Sequence, residues 1–300
     1  MPREKEVKTI LNKSKRRDPW FLDDYTVNLY SGCSFNCLFC YIRGSKYGQH
    51  MERSLSVKSN ALELLERQLS NRAKKGQYGI IALSSATDPY LHAERDFRFT
   101  RQALEIILKY RFPVHILTRS DLVLRDLDLI QAIDEAAILP EEIRKPLSRG
   151  AIVTFSFSTV DDAVARIFEP GATPPSQRLQ AMSQTKDSGL LTGVSMMPML
   201  PWISDTTQSL NEMLSAFQSC KVDYVLPATL TLFGSGPSDS RTLVMRAIGK
   251  HYPDLVSRYE QYFAEAGCVP DFYQKAFDLK MKELLAAYGL RSSILNFSEK

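Results

Sequence analysis

From residue 26 onward, short runs of β-branched and apolar residues alternate with longer stretches whose apolar positions recur every three or four residues. The first kind of run predicts strands over 26–31, 78–85, 114–119, 151–158, 191–200 and 222–233. The second predicts helices over 56–75, 98–111, 124–137, 174–189 and 205–220. In the first helix, Ala61, Leu62, Leu64, Leu65 and Leu69 share one side. The fourth has proline near its start and glycine at its end. Strict alternation of strand and helix predicts parallel strands joined by right-handed crossovers. Five or six such units fall short of the eight in a closed barrel. The pattern fits an α/β fold over 26–236, either an open or partial barrel of the (β/α)6 TIM-like kind or a doubly wound sheet, preceded by a basic tail over 1–25. Residues 237–300 read as a C-terminal helical extension.

Composition adds little to this and removes nothing from it. At 44% hydrophobic and 24% charged, the chain has the material for a core. No apolar run reaches the ~20 residues of a membrane span. The start is basic without an apolar stretch behind it, unlike a secretory signal. The expectation is a soluble cytoplasmic protein without membrane partners. Charge is unevenly placed. Arg3, Lys5, Lys8, Lys13, Lys15, Arg16 and Arg17 face only Glu4 and Glu6 in the first 17 residues, while the whole chain carries +4. A basic tail can touch nucleic acid, although a solvated, loosely ordered terminus is the plainer reading.

The candidate chemistry is concentrated in "YSGCSFNCLFCYIR", residues 30–43. Three of the five cysteines sit there, as Cys33, Cys37 and Cys40. An odd, clustered set is a poor disulfide framework and fits a reducing compartment. Cys220 and Cys268 stand alone and read as small buried hydrophobes. Structural zinc and most iron–sulfur clusters take four protein ligands. Three clustered thiols therefore leave one position open to something exogenous. A zinc reading has His50 as fourth ligand and would make the protein a non-catalytic zinc-binding module that holds nucleic acid. Polar residues also gather where strands end: "SSATDPY", "TRS" and "SFST". In parallel α/β folds, that end carries the site.

The spacing C-x3-C-x-aromatic-C, with Phe39 as the aromatic, resembles that of the radical S-adenosylmethionine superfamily. "SSATDPYLHAE", "LTRSDLVLRDLDLI", "VTFSFSTVDD", "IFEPGATPPSQRLQAM" and "MMPMLPWISD" follow in order. They narrow the resemblance, over about residues 8–235, to the branch related to spore photoproduct lyase. The resemblance implies a partial (β/α)6 TIM-like barrel and a [4Fe–4S] cluster on Cys33, Cys37 and Cys40, with S-adenosylmethionine bound beside it. Reductive cleavage would give a 5′-deoxyadenosyl radical, which abstracts hydrogen from a substrate, possibly a nucleic acid. It further implies cofactor contacts at Phe39, Tyr41, Thr87, Asp88, Arg119 and Ser156. Arg119 stands where the family usually has a lysine that meets the cofactor carboxylate. An external electron donor of flavodoxin or ferredoxin type is implied as well. Asp88 before proline also fits a plain turn, and Glu169 a pairing with Arg166 or Arg178. His92 and His115 read as structural. One departure stands out: Ser85 occupies the position of the lyase's hydrogen-donating cysteine. A hydroxyl O–H is too strong to replace a thiol S–H in that role.

Overall fold

Short runs of mostly buried apolar residues make the barrel strands. In a computed structural model describing residues 3–45, 55–83, 85–264 and 267–296, six of them lie parallel. We label them β1 (Tyr25–Val27), β2 (Ile81–Leu83), β3 (Val114–Thr118), β4 (Ala151–Phe157), β5 (Leu191–Met199) and β6 (Tyr224–Thr229). They pair in sequence order, each with the next. Among the described residues β1 and β6 do not pair, so the barrel is open, as expected of a partial one. Asn12–Lys13 adds a short antiparallel edge beyond β1.

The outer layer is helical: α1 (Ala61–Lys74), α2 (Phe99–Lys109), α3 (Leu127–Ala136), α4 (Pro175–Asp187) and α5 (Thr207–Ser219). Each buries its apolar stripe on the sheet. Leu64, Leu65 and Leu69 do so from α1, and Leu210, Met213, Leu214 and Phe217 from α5. A short helix at Asp162–Phe168, not foreseen from periodicity, precedes α4 and is capped by the Asp161 side chain.

Two elements differ from the sequence reading. The strand expected over 26–31 breaks after Val27. Tyr30–Ser31 instead pairs antiparallel with Ser56–Lys58, which pairs parallel with Arg3–Lys5. Residues 56–58, read as the start of a helix, are therefore strand, and α1 begins only at Ala61. Nor are residues 3–17 of the tail loose. After its strand, the Asn60 side chain bonds the Val7 backbone at 2.9–3.0 Å, and Gln68 bonds the amides of Ile10 and Leu11. Ser14 and Arg17 bond Asp23 and Asp24.

The segment that follows plugs the barrel floor. Leu22 packs among Ile80, Ile152, Leu191, Tyr224 and Leu226. The Phe21 carbonyl meets His115 Nδ1 at 2.7 Å, and His115 Nε2 meets Thr154 Oγ1 at 2.6 Å. Tyr224 fits inside the barrel because residue 193 is glycine; a Cβ there would lie 2.3 Å from its ring.

After residue 236 the helices go to two places. α6 (Ser240–His251) and α7 (Val256–Tyr262) build a second apolar core with Phe39, Phe168, Leu200 and Leu230. α8 (Asp271–Ala287) places Phe277, Met281 and Leu285 in the main barrel core.

Candidate active site

Leaving β1, the chain enters the cysteine loop, and apolar anchors fix its path. Phe35 and Phe39 are buried on either side of Cys37, and Cys33, Cys37 and Cys40 all face the barrel cavity. Arg43, itself buried, staples the loop: its guanidinium donates to the Cys37 carbonyl at 3.0 Å, to Ser238 O at 3.1 Å and to the Asn36 side chain. The chain after Asp162–Phe168 supports it from the other side. Leu38 N–H donates to Phe168 O at 2.8 Å and Gly171 N–H to Phe35 O at 2.9 Å. A Cβ on Gly171 would lie 2.4 Å from Ser34 O, so only glycine allows this approach.

Cys33, Cys37 and Cys40 are free thiols, half-buried, and all three line one cavity of about 390 Å³ at the C-terminal ends of the strands. The same cavity takes in Phe39, Tyr41, Ser85, Thr87, Asp88, Arg119 and Ser156. Every site residue read from the sequence is thus brought to one place. Phe21, Ala82, Leu117 and Met197 give it apolar walls. Burial pushes the Cys33 thiol up to about 12 and raises Cys37 and Cys40 as well. Such thiols keep their protons at neutral pH unless a cation takes their place.

The polar groups are held by specific partners. Asp88 accepts from the Tyr90 amide at 2.8 Å, the Thr118 hydroxyl at 2.8 Å and the Arg119 amide at 2.7 Å, clasping β2's loop to the end of β3. Burial raises its carboxyl to about 6 in spite of those donors. Arg119 pairs with Glu169, donates to Met197 O at 2.9 Å and lies 5.3 Å from the Phe39 ring. Glu169 pairs also with Arg178, one of the two arginines foreseen for it, and Arg178 donates to the Ser156 carbonyl. The Tyr41 hydroxyl donates to the Ser85 carbonyl. Thr87 Oγ1 is buried with no partner among the described residues.

Sequence reasoning missed Asn28 and Arg43. Asn28 accepts from the Ala86 amide at 2.9 Å and donates to Ser85 Oγ at 3.1 Å, fixing the loop after β2. A lone asparagine inside a β-rich run was the available signal. His92 packs edge-on against Phe35 and His115 belongs to the floor, both structural in setting.

The donor set suits a cluster better than a single ion. A tetrahedral zinc with ~2.3 Å bonds draws its sulfurs together. Among the described residues three thiols line the cavity, one short of such a closed tetrahedral set. His50, the zinc reading's fourth ligand, lies outside the described residues. Three thiols, an orphaned hydroxyl and an arginine on the walls of one cavity fit an inorganic centre with an open position and a polar organic ligand beside it.

Fold and site together define an enzyme of the radical S-adenosylmethionine class. The family model described as "Radical SAM superfamily" matches residues 27–213, and the chain belongs to that superfamily. This sets the non-catalytic zinc module aside. An uncharacterized protein of Mycobacterium tuberculosis is 29% identical over 272 residues, covering 89% of this chain and 75% of the relative. A radical SAM Nalpha-GlyT isomerase of Pseudomonas phage M6 is 26% identical over 208 residues, covering 68% of this chain and 39% of the phage protein. A spore photoproduct lyase variant, solved with AdoMet and dinucleoside spore photoproduct bound, shares the fold at a TM-score of 0.69 and 15% identity. The match covers 95% of this chain and 78% of that one. Among the described residues no helix is long and apolar enough to cross a membrane.

Proposed function

We propose that Cys33, Cys37 and Cys40 hold a [4Fe–4S] cluster and that S-adenosylmethionine binds in the same cavity. On this reading the enzyme abstracts hydrogen from a nucleic-acid base. The observation that carries the proposal is the convergence of those thiols with Thr87, Arg119 and Ser156 in one cavity. The bound group supplies reductive cleavage of S-adenosylmethionine to a 5′-deoxyadenosyl radical, with the electron coming from a flavodoxin- or ferredoxin-type donor. The chain's own residues do the positioning. Arg119 offers its fork to the ligand carboxylate, and the Thr87 hydroxyl gains the partner it lacks. Phe39 and Tyr41 flank the site, while Asp88 holds the loops that carry Thr87 and Arg119. Phe21 and Leu22 close the floor against water, which protects a reactive intermediate.

The nucleic-acid substrate is supported by the dinucleoside on the structural neighbour. Ser85 argues against the lyase's own thiol-dependent repair route. The test is anaerobic reconstitution, reduction with flavodoxin and assay for 5′-deoxyadenosine with single-stranded DNA deuterated on its bases. Deuterium entering 5′-deoxyadenosine is expected, and Cys37→Ala should form none. 5′-Deoxyadenosine formed without deuterium uptake from that DNA, or from RNA deuterated on its bases, would move the substrate to a small molecule or peptide.

A further inference from the structure

Arg178, on α4, is fully buried and is not among the residues that line the cavity. Its guanidinium meets Glu169 Oε1 and the Ser156 carbonyl and lies 4.8 Å from the Phe157 ring. Its Nε has no partner among the described residues. Burying an ion this deeply is expensive. Neutralising Glu169 does not explain it, because Arg119 already pairs with Glu169 through Oε2.

What Arg178 changes is how Glu169 is shared. A carboxylate left alone with one arginine favours a two-point fork with it. Here its two oxygens are divided between two guanidinium groups, so Arg119 is held at one point by Glu169 and at another by Met197 O. Asp88, the other carboxylate on this wall, spends its oxygens on Thr118, the Tyr90 amide and the Arg119 amide, none on the Arg119 guanidinium. Arg119 therefore keeps donors uncommitted at the cavity wall.

We propose that Arg178 is a positioning residue that keeps Arg119 available to a ligand carboxylate, acting through Glu169, and fixes the neighbouring strand end through the Ser156 carbonyl. This rests on the reading of Arg119 as the carboxylate-binding residue. With Arg178 removed, Glu169 swings both oxygens onto Arg119 and the ligand's carboxylate loses its partner.

The test is anaerobic titration calorimetry on reconstituted, unreduced protein, with S-adenosylmethionine and its decarboxylated analogue as paired probes. Wild type is expected to favour the carboxylate-bearing ligand. Arg178→Gln should cut that preference about tenfold while leaving the analogue's affinity within about twofold. Arg178→Lys, which keeps a cation beside Glu169 but cannot also span to Ser156, should cut it less and serves if the glutamine variant does not fold. An unchanged preference in the folded Arg178 variants, or an equal loss for both ligands, overturns the proposal. Arg119→Gln separates the two readings. If it leaves the preference intact, the role of Arg119 itself fails; if it removes the preference and the Arg178 variants do not, only the role of Arg178 fails.

Discussion

Thr87 carries a hydroxyl that the folded chain leaves without a hydrogen bond. A buried polar group in that state costs on the order of 1–3 kcal/mol. Thr87→Val is therefore expected to leave the ligand-free melting temperature unchanged or slightly higher, and to weaken S-adenosylmethionine binding several-fold by calorimetry. A variant that melts lower and binds normally would show that the hydroxyl has a structural task instead. The cysteines were legible at this scale because their spacing is local. The links between Arg119 and Glu169, and between Asn28 and Ser85, were not. Fifty and 57 residues separate those partners, and no periodicity reports a contact across different strands. The pairing of Glu169 with Arg178 was within reach because both flank one turn and the start of one helix.

Gly171 shows how an element is shaped for its neighbour. Gly171→Ala forces a Cβ against Ser34 O, so the loop of Cys33 and Cys37 must shift. The expected result is a folded protein whose iron after reconstitution falls well below roughly four per chain; iron content at the wild-type level would refute it. In β3, burial lowers the His115 imidazole to about 4. The unfolded chain takes up a proton near its ordinary value of 6.5 and the folded one only near 4. Stability is thus full above pH 6.5 and is lost as pH falls toward 4, by about 3 kcal/mol. His115→Gln should flatten that slope in denaturant titrations between pH 7 and pH 4. Strand identity was legible where a short apolar run was followed by a longer amphipathic stretch, as at 114–118 and 151–157. The division of 26–31 was not, because Tyr30–Ser31 is strand only through its pairing with Ser56–Lys58, a non-local event that periodicity does not encode.

At the scale of the whole molecule, α8 shares the barrel's core through Phe277, Met281 and Leu285. Met281→Ala should cost about 2–5 kcal/mol in chemical denaturation; a change below 1 kcal/mol would mean that α8 is dispensable. The sequence pattern of α8 marks it as helix but not which core it joins, since an apolar stripe names no partner. The tail needs a gentler probe than deletion, because Ile10 and Leu11 are buried and its first strand is paired. Reversing exposed Lys13, Lys15 and Arg16 to Glu keeps those contacts. If the tail engages nucleic acid, the triple variant should bind single-stranded DNA more weakly, with a salt slope reduced by up to about 2–3. An unchanged slope would confine recognition to the cavity end.

An open sheet ends in a strand with a free row of amides and carbonyls, a template on which a foreign strand can dock. At β6 that row is spoiled. Pro227 lacks an amide hydrogen, the register slips between Pro227 and Thr229, and the Val225 amide is already taken by the Arg291 carbonyl at 2.8 Å. The barrel can therefore stay unclosed without inviting the edge-to-edge growth by which exposed strands seed aggregates.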